Sequence, residues 1–265
     1  MTDSLRKEYN IVAKLKVWFG EKSVIVFTMG KVGTLTICNS LRSVGYKHVH
    51  PHSLCYTRPG IHFVKVKLSF LNNIKYTIKT FLKRLKVWVW KKLNNEILII
   101  SGVRDPFSRN ISAFFEQVHY LGGISNVATS KEIIAFFEAS CEFDAPLNWF
   151  DKEVLKVTGI NVYNYPFDKE KGFVIINKGK FRLLIFRIDK LNKLSNEISE
   201  FIDEKKFSII STNLSKHGDY PTQLNNLKKT YKYDVELSQR YKHSKYFQHF
   251  YTSEERKDFV ERWSK

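Results

Sequence analysis

Two short stretches of the chain combine basic, hydroxyl and glycine residues in a pattern that suits a bound anion. The first, residues 30–34, reads Gly-Lys-Val-Gly-Thr and directly follows an apolar run. Its glycines let the backbone come close to a ligand, and Lys31 adds a full positive charge. In the second, Arg104 and Ser112 are separated by seven residues. The guanidinium fork of an arginine matches the oxygen geometry of a phosphate.

Each stretch lies between a predicted strand and a predicted helix. The apolar runs at 24–27 and 96–101 are typical of strands buried on both faces. After the first run, apolar residues recur at helical spacing from Leu35. After the second, Pro106 fits the first helical position with Asp105 as its N-cap. The N–H groups and the dipole of a helix start favour negative charge, so the sequence predicts two anion sites at strand ends.

The glycine turn departs from the P-loop of nucleotide triphosphatases. That motif places its lysine after the last glycine, whereas Lys31 comes before Gly33 and no Gly-Lys-Ser/Thr follows. The chain also lacks a short apolar strand ending in aspartate that would hold magnesium. A lone glycine turn is also the ordinary connection between a strand and a helix.

Three histidines alternate at the end of a second predicted strand, residues 46–50. They are His48, His50 and His52, with Pro51 ending the strand. An alternating triplet can hold a metal, but no carboxylate lies nearby in the sequence. A neutral imidazole just past a strand end is a candidate general base, because open α/β sheets bind ligands at that edge. Local hydrogen bonding that shapes the turn is the alternative interpretation.

The net charge of +18 is concentrated in one part of the chain. Fourteen Lys and Arg residues lie between Lys22 and Asn95, and this segment contains neither Asp nor Glu. Such a field favours polyanionic ligands, among them nucleic acid, although a solvated basic face has the same composition. Within it, residues 69–93 are predicted to form a helix whose apolar stripe comprises Leu71, Ile74, Ile78, Leu82, Leu85 and Val89. Lys75, Lys79, Lys83 and Lys86 follow the other face, either in water or against an acidic glycan or an anionic membrane surface.

The two anion motifs together resemble those of sulfotransferases that use 3′-phosphoadenosine 5′-phosphosulfate. In that superfamily the first loop holds the 5′-phosphosulfate, and an Arg-x7-Ser motif holds the 3′-phosphate. The resemblance implies that Lys31, Val32, Gly33, Thr34 and Leu35 serve the first role, and Arg104 and Ser112 the second. The closer similarity is to the bacterial family of capsular polysaccharide synthesis proteins. It continues through residues 146–153, 158–160, 165–168, 186–191 and 249–251.

The resemblance implies transfer of a sulfuryl group to a glycan hydroxyl without a metal. His52 is the expected base, followed by His50, because some similar glycan sulfotransferases carry a His-x-His pair there. Lys31 is expected to meet the negative charge that grows on the leaving nucleotide, and Glu116 is the next candidate base. The alternatives are a nucleotide kinase of the P-loop type and a basic nucleic-acid-binding module.

The expected fold is α/β, a mostly parallel sheet flanked by helices as in the P-loop-like sulfotransferases, with residues 1–265 forming a single domain. Further helices are predicted at 131–141, 147–157, 191–204, 222–231 and 253–263, the last opened by Ser253. A hairpin with one buried strand is predicted at 173–186. The chain has no run of 18 apolar residues and no leader pattern at its start. Three cysteines without metal spacing favour reduced thiols in the cytoplasm.

Overall fold

The computed structural model describes residues 23–55, 96–121, 129–210 and 221–265, with nine separate residues between 74 and 92. Five strands form one sheet in the order β2-β1-β3-β5-β4. Their bounds are β1 Ser23–Val26, β2 Lys47–Val49, β3 Ile97–Val103, β4 Phe173–Lys178 and β5 Phe181–Arg187. The first, second, third and fifth run parallel, and β4 is an antiparallel edge strand. The prediction of a mostly parallel sheet is confirmed.

Helices cover both faces of this sheet. They are α1 Thr34–Ser43, α2 Pro106–Leu121, α3 Ser130–Ser140, α4 Ala145–Trp149, α5 Leu155–Thr158, α6 Ser195–Ile202, α7 Pro221–Thr230, α8 Val235–Lys242, α9 Lys245–Phe250 and α10 Ser253–Trp263. A π-helical turn, Phe150–Val154, joins α4 to α5, and short 3-10 turns lie at Val162–Asn164 and Leu191–Lys193. None of the described helices combines the length and apolar character needed to cross a bilayer.

Alternating residues of the strands pack into two separate hydrophobic cores. Ile25 of β1 and Phe27, which directly follows the strand, enter the larger core, which also holds the buried faces of α2, α3 and the C-terminal helices. Val24 and Val26 enter the smaller core, with the buried faces of α1 and α6. Since successive side chains of a strand point to opposite faces, a continuous apolar run needs cover on both sides.

The predicted hairpin is confirmed as β4 and β5, and β5 is the buried member. The predicted helix at 147–157 is instead three pieces with a π turn in the middle. The predicted helix at 191–204 is a 3-10 turn followed by α6. Thr252, not Ser253, caps α10, because the Thr252 side chain and Glu255 form a capping box. Helices α8 and α9 went unpredicted, although Asp234 and Ser244 cap them.

The described residues between 74 and 92 are helical, as predicted, but their apolar side chains do not pack as an ordinary surface helix would. Val89 contacts the larger core, whereas Ile74, Ile78, Leu82 and Leu85 are exposed. Leu71 and the four predicted lysines lie outside the described residues.

Two tyrosines of the C-terminal region, Tyr246 of α9 and Tyr233 just before α8, hold the connection between β3 and α2. The Tyr246 hydroxyl accepts from the backbone N–H of Arg104 at 3.1 Å and donates to its carbonyl at 2.8 Å. The Tyr233 hydroxyl donates to the carbonyl of Phe107 at 2.8 Å. Both tyrosines are fully buried, so the position of the β3 carboxyl end is set by packing as well as by the sheet.

Candidate functional site

The turn between β1 and α1 has a backbone shape that few sequences adopt. Gly30, Lys31 and Gly33 have φ angles of 82°, 61° and 86°, all in the left-handed region. A lysine there is strained, because its Cβ crowds the following carbonyl, and such outliers cluster at ligand sites. Gly33 is the N-cap of α1, and its carbonyl accepts from Ile37 at 3.1 Å. The N–H groups of the first turn of α1 therefore face the turn without intrahelical acceptors.

Two arginines from the neighbouring segment hold the turn by its carbonyl oxygens. Arg109 donates to Met29 at 2.7 Å, and Arg104 donates to Lys31 at 3.1 Å. Arg109 is completely buried, and this burial lowers its pKa to about 10. The side-chain hydroxyls of Thr28 and Thr34 lie 2.8 Å apart across the turn. Hydrogen bonds within the protein therefore support the shape of the turn.

Backbone packing braces the turn further. Gly102 of β3 faces the turn so closely that a Cβ there would lie 2.7 Å from the carbonyl oxygen of Val32. The Val32 side chain itself is fully buried, so it can face a ligand only through its backbone N–H. Leu35, also predicted to bind the nucleotide, exposes 45% of its surface at the start of α1.

The sheet order explains why the two predicted anion motifs meet. In the sheet, β2 lies on one side of β1, and β3 followed by β5 lies on the other side. The connection after β1 and the connection after β3 therefore run in opposite directions across the sheet. Ligands of open α/β sheets bind at such a switch point, outside the carboxyl ends of the strands. The glycine turn follows β1 and Arg104 follows β3, and the two are joined by the hydrogen bond from Arg104 to Lys31.

Arg104 is oriented by the start of α2. Its Nε donates to the Ser108 hydroxyl at 3.0 Å, and that hydroxyl donates to Asp105. Asp105 also accepts from the Ser108 backbone N–H at 2.8 Å, which confirms Asp105 as the helix cap. Ser112, the second residue of the Arg-x7-Ser motif, lies one helical turn further on and is 8% exposed.

Two further side chains complete a charged cluster around the turn. The Lys31 ammonium lies 3.7 Å from the Glu116 carboxylate of α2. Lys228 of α7 is half-buried, and burial lowers its pKa, with the positive charges of Arg104 and Lys31 adding to the effect. An anion bound nearby would stabilise the charged form of Lys228, which burial and the two positive charges disfavour. Sequence reasoning missed Lys228 because no motif spacing links α7 to the two strand ends.

His52 lies directly on the glycine turn. Its Nδ1 is 2.9 Å from the carbonyl oxygen of Thr28, and a Cβ on Gly30 would lie 3.4 Å from its ring. The rings of His50 and His52 form an edge-to-face pair with centroids 4.4 Å apart. The structure therefore brings His52 to the turn with His50 behind it. His48 belongs to β2, and its Nδ1 lies 3.3 Å from the carbonyl of Tyr46.

The loop that carries His52 is held by the π turn. Glu153 is 2% exposed, and its carboxylate accepts from the Ser53 hydroxyl at 2.6 Å and from two backbone N–H groups, of Leu54 at 2.7 Å and Cys55 at 3.0 Å. The Trp149 indole donates to the carbonyl of His52 at 3.0 Å. Trp149 and Glu153 are four residues apart and therefore contact the same loop, and π turns such as Phe150–Val154 are frequent at functional sites.

A cavity of about 240 Å³ lies at the carboxyl end of β5, and Asp105 connects it to the cluster just described. Its lining includes Arg187, Asp189, Tyr251, Glu255 and Asp258. Arg187 is buried between Asp189 and Glu255, with N–O distances of 2.6 Å to each. The lining of this cavity has more acidic than basic side chains and does not include Lys31 or His52. It therefore does not suit an anionic ligand. Among the described residues, no group of three His, Cys, Asp or Glu side chains is placed to hold a metal.

A family model described as "putative capsular polysaccharide synthesis protein" matches residues 137–252. This match associates the chain with polysaccharide biosynthesis and confirms the family resemblance over that range. The matched range includes Trp149, Glu153, Lys228 and Tyr246, and it begins after both predicted anion motifs. Neither the curated proteins nor the solved structures contain a match to this chain.

Proposed function

We propose that the protein is a sulfotransferase that moves a sulfuryl group from 3′-phosphoadenosine 5′-phosphosulfate to a hydroxyl of a glycan. The observation that supports this is the hydrogen bond from Arg104 to the Lys31 carbonyl, which joins two anion motifs at the switch point of the sheet. A nucleotide with phosphates at both its 3′ and 5′ positions needs two such sites side by side.

The side chains around the switch point fit such a nucleotide. Lys31, Arg104 and Lys228 supply three positive charges, and the start of α1 supplies backbone N–H groups. The backbone N–H groups of Gly33 and Thr34 would bind the 5′-phosphosulfate. Arg104 and Ser112 would hold the 3′-phosphate. Bound there, the nucleotide supplies an activated sulfuryl group.

His52 is the base in this proposal. A carbonyl oxygen can only accept, so the Nδ1 of His52 carries the proton that bonds to Thr28. Its Nε2 is then the unprotonated nitrogen, and it takes the proton from the acceptor hydroxyl. His50 packs against the His52 ring and orients it or contacts the acceptor. Glu116 is the alternative base, since its carboxylate lies beside Lys31.

Lys31 would meet the negative charge that grows on the leaving oxygen. Its present partner, Glu116, is a weak competitor, because the two side chains are 31% and 44% exposed and 3.7 Å apart. Exposed pairs of this kind contribute about 0–1 kcal/mol. Moving the Lys31 ammonium from Glu116 to a bound anion therefore costs little free energy. The positive charge stabilises the transition state most, because negative charge develops there on the leaving oxygen.

Binding measurements separate this proposal from a kinase or a nucleic-acid-binding module. Calorimetry in EDTA should show binding of 3′,5′-bisphosphoadenosine, with no need for a divalent metal. Arg104→Ala should weaken that binding by about 1.5–3 kcal/mol, the scale of a charge-assisted contact. Arg240→Ala, which removes a half-exposed arginine paired with Asp144, is the matched control. Binding of ATP with magnesium or of an oligonucleotide, but not of the bisphosphate, would exclude the proposal.

Turnover of Lys31→Ala tests the chemical step. If Lys31 meets charge that develops only in the transition state, turnover should fall much more than bisphosphate affinity. An equal loss in both would limit Lys31 to a binding role.

A further inference from the structure

An exposed apolar stripe runs along the helix between residues 74 and 92. It consists of Ile74, Ile78, Phe81, Leu82, Leu85 and Trp88, whose exposed fractions are 43%, 54%, 62%, 49%, 44% and 58%. At 3.6 residues per turn these six positions fall within an arc of roughly 120°. Single exposed apolar residues are normal on proteins, but six on one helical face form a continuous patch that marks an interaction surface.

The helix is attached to the domain near its C-terminal end. Val89 packs against the larger core. The six stripe positions precede this contact in the sequence, between residues 74 and 88. At 100° per residue Val89 falls within the arc of the stripe, so this helical face contacts the larger core at Val89 and is exposed at the six stripe positions.

The sequence around the stripe is strongly basic. Between residues 74 and 92 it contains Lys75, Lys79, Lys83, Arg84, Lys86, Lys91 and Lys92, and no acidic residue. The acid-free segment extends from Lys22 to Asn95. The stripe is apolar and the sequence that contains it is basic, so a partner that offers apolar volume next to negative charge matches both features.

We propose that this helix docks the protein on an anionic lipid bilayer, with the exposed stripe inserted at the boundary between headgroups and acyl chains. A bilayer surface offers apolar volume directly beneath a layer of negative phosphates, which matches both features. Phe81 and Trp88 suit this depth, because aromatic rings concentrate at the membrane interface. Nucleic acid would pair with the lysines but leave the exposed stripe in water. This inference does not depend on the sulfotransferase proposal.

Vesicle cosedimentation of the full chain tests the proposal. The protein should bind vesicles of phosphatidylcholine containing about a third phosphatidylglycerol, and bind pure phosphatidylcholine at least about tenfold more weakly. The paired substitution Phe81→Asp with Leu85→Asp should weaken binding to the anionic vesicles by about tenfold or more. Val235→Asp is the control, since Val235 is 56% exposed and lies on α8.

Charge reversal tests the electrostatic contribution to the proposed membrane binding. Changing Lys75, Lys79 and Lys83 to Glu should reduce binding to anionic vesicles as strongly as the stripe substitutions. The same reversal at exposed Lys193, Lys205 and Lys206, which changes the net charge equally, should have little effect. A blue shift of Trp88 fluorescence, isolated by comparison with Trp88→Phe, should accompany binding to anionic vesicles.

Three outcomes would overturn the proposal. The first is a stripe variant that binds anionic vesicles normally, which would mean adsorption by charge alone. The second is a change of oligomeric state in the stripe variant without lipid, which would mean that a second copy covers the stripe. The third is a lowered melting temperature of that variant, which would mean that the chain itself covers the stripe.

Discussion

The Nδ1 atom of His52 lies 2.9 Å from the carbonyl oxygen of Thr28, the residue at which the chain leaves the first buried strand. The contact fixes the position of the ring relative to the glycine turn and selects the tautomer with its proton on Nδ1. The same turn residue approaches the histidine loop a second time, since the Thr28 N–H lies 3.5 Å from the carbonyl of Pro51. The expected base and the expected phosphate turn therefore form one unit.

Replacing His52 with Ala should lower sulfuryl transfer by about 10²–10⁴, the usual range for a general base. Bisphosphate affinity should be preserved, because the imidazole contributes to the proton transfer and not to nucleotide binding. His50→Ala should cost less, and Glu116→Gln is the comparison that distinguishes the two candidate bases. Measured turnover near the wild-type value in a folded His52→Ala protein, with a large loss in Glu116→Gln, would move the base assignment to Glu116.

Glu153→Gln should lower turnover by about 10–100-fold, because a glutamine cannot accept from all the donors of the histidine loop and a small displacement of a catalytic group is costly. Bisphosphate affinity should change little. In the His52→Ala background the same substitution should have almost no further effect on turnover, since the loop would carry no base to position. Glu142→Gln, at an exposed position near α3, is the control. Full additivity of Glu153→Gln with His52→Ala would reduce Glu153 to a stability residue.

Bisphosphate binding should weaken as the pH rises toward the lowered pKa of Lys228. Burial and the charges of Arg104 and Lys31 bring that pKa below the ordinary value of 10.5. The protonated ammonium attracts the anion and the neutral amine does not, so affinity falls with rising pH. Lys228→Arg should keep its charge and flatten the profile, whereas Lys229→Arg at the exposed neighbouring position should leave it unchanged. Calorimetric titrations at several alkaline pH values make the comparison.

Glu255→Gln should lower the free energy of unfolding near neutral pH by about 2 kcal/mol. In the wild type this contribution depends on the charged carboxylate and is lost in acid. Burial by itself would raise the pKa of Glu255, but hydrogen bonds from Arg187 and from the Thr252 N–H outweigh it, and the pKa lies below the ordinary 4.5. A lowered folded-state pKa contributes stability above the unfolded value, and this is lost as the pH falls through the folded one. Denaturant unfolding should therefore show a smaller acid loss below about pH 4.5 in the variant than in the wild type. Glu261→Gln, in an exposed pair with Lys257, should behave as wild type.

The central strands β1, β3 and β5 could be predicted because each contains a continuous apolar run next to a recognisable turn. The predicted meeting of the glycine turn, Arg104 and His52 also follows from one rule, that the carboxyl ends of parallel strands share an edge. The π turn at Phe150–Val154 was not predictable, since apolar spacing alone does not distinguish it from an α-helical turn. Thr252 was misread although its capping-box partner Glu255 stands in the sequence.

The residues that sequence reasoning missed act from a distance along the chain. Arg109 holds the glycine turn from inside α2, Glu153 and Trp149 hold the histidine loop, and Lys228 approaches from α7. Each looks ordinary in its own segment, and only tertiary packing shows its partner. The sequence left the contacts of the exposed stripe open, because an amphipathic pattern shows which face is apolar but not what that face contacts.

Gly102 lies behind the glycine turn and limits where that turn can sit without belonging to it. A Cβ at this position would lie 2.7 Å from the Val32 carbonyl oxygen, so even one added methyl group would displace that carbonyl. The backbone of the expected anion site therefore depends on a residue of the protein interior. Comparisons of similar chains for altered specificity should include position 102 together with the turn residues 30–34.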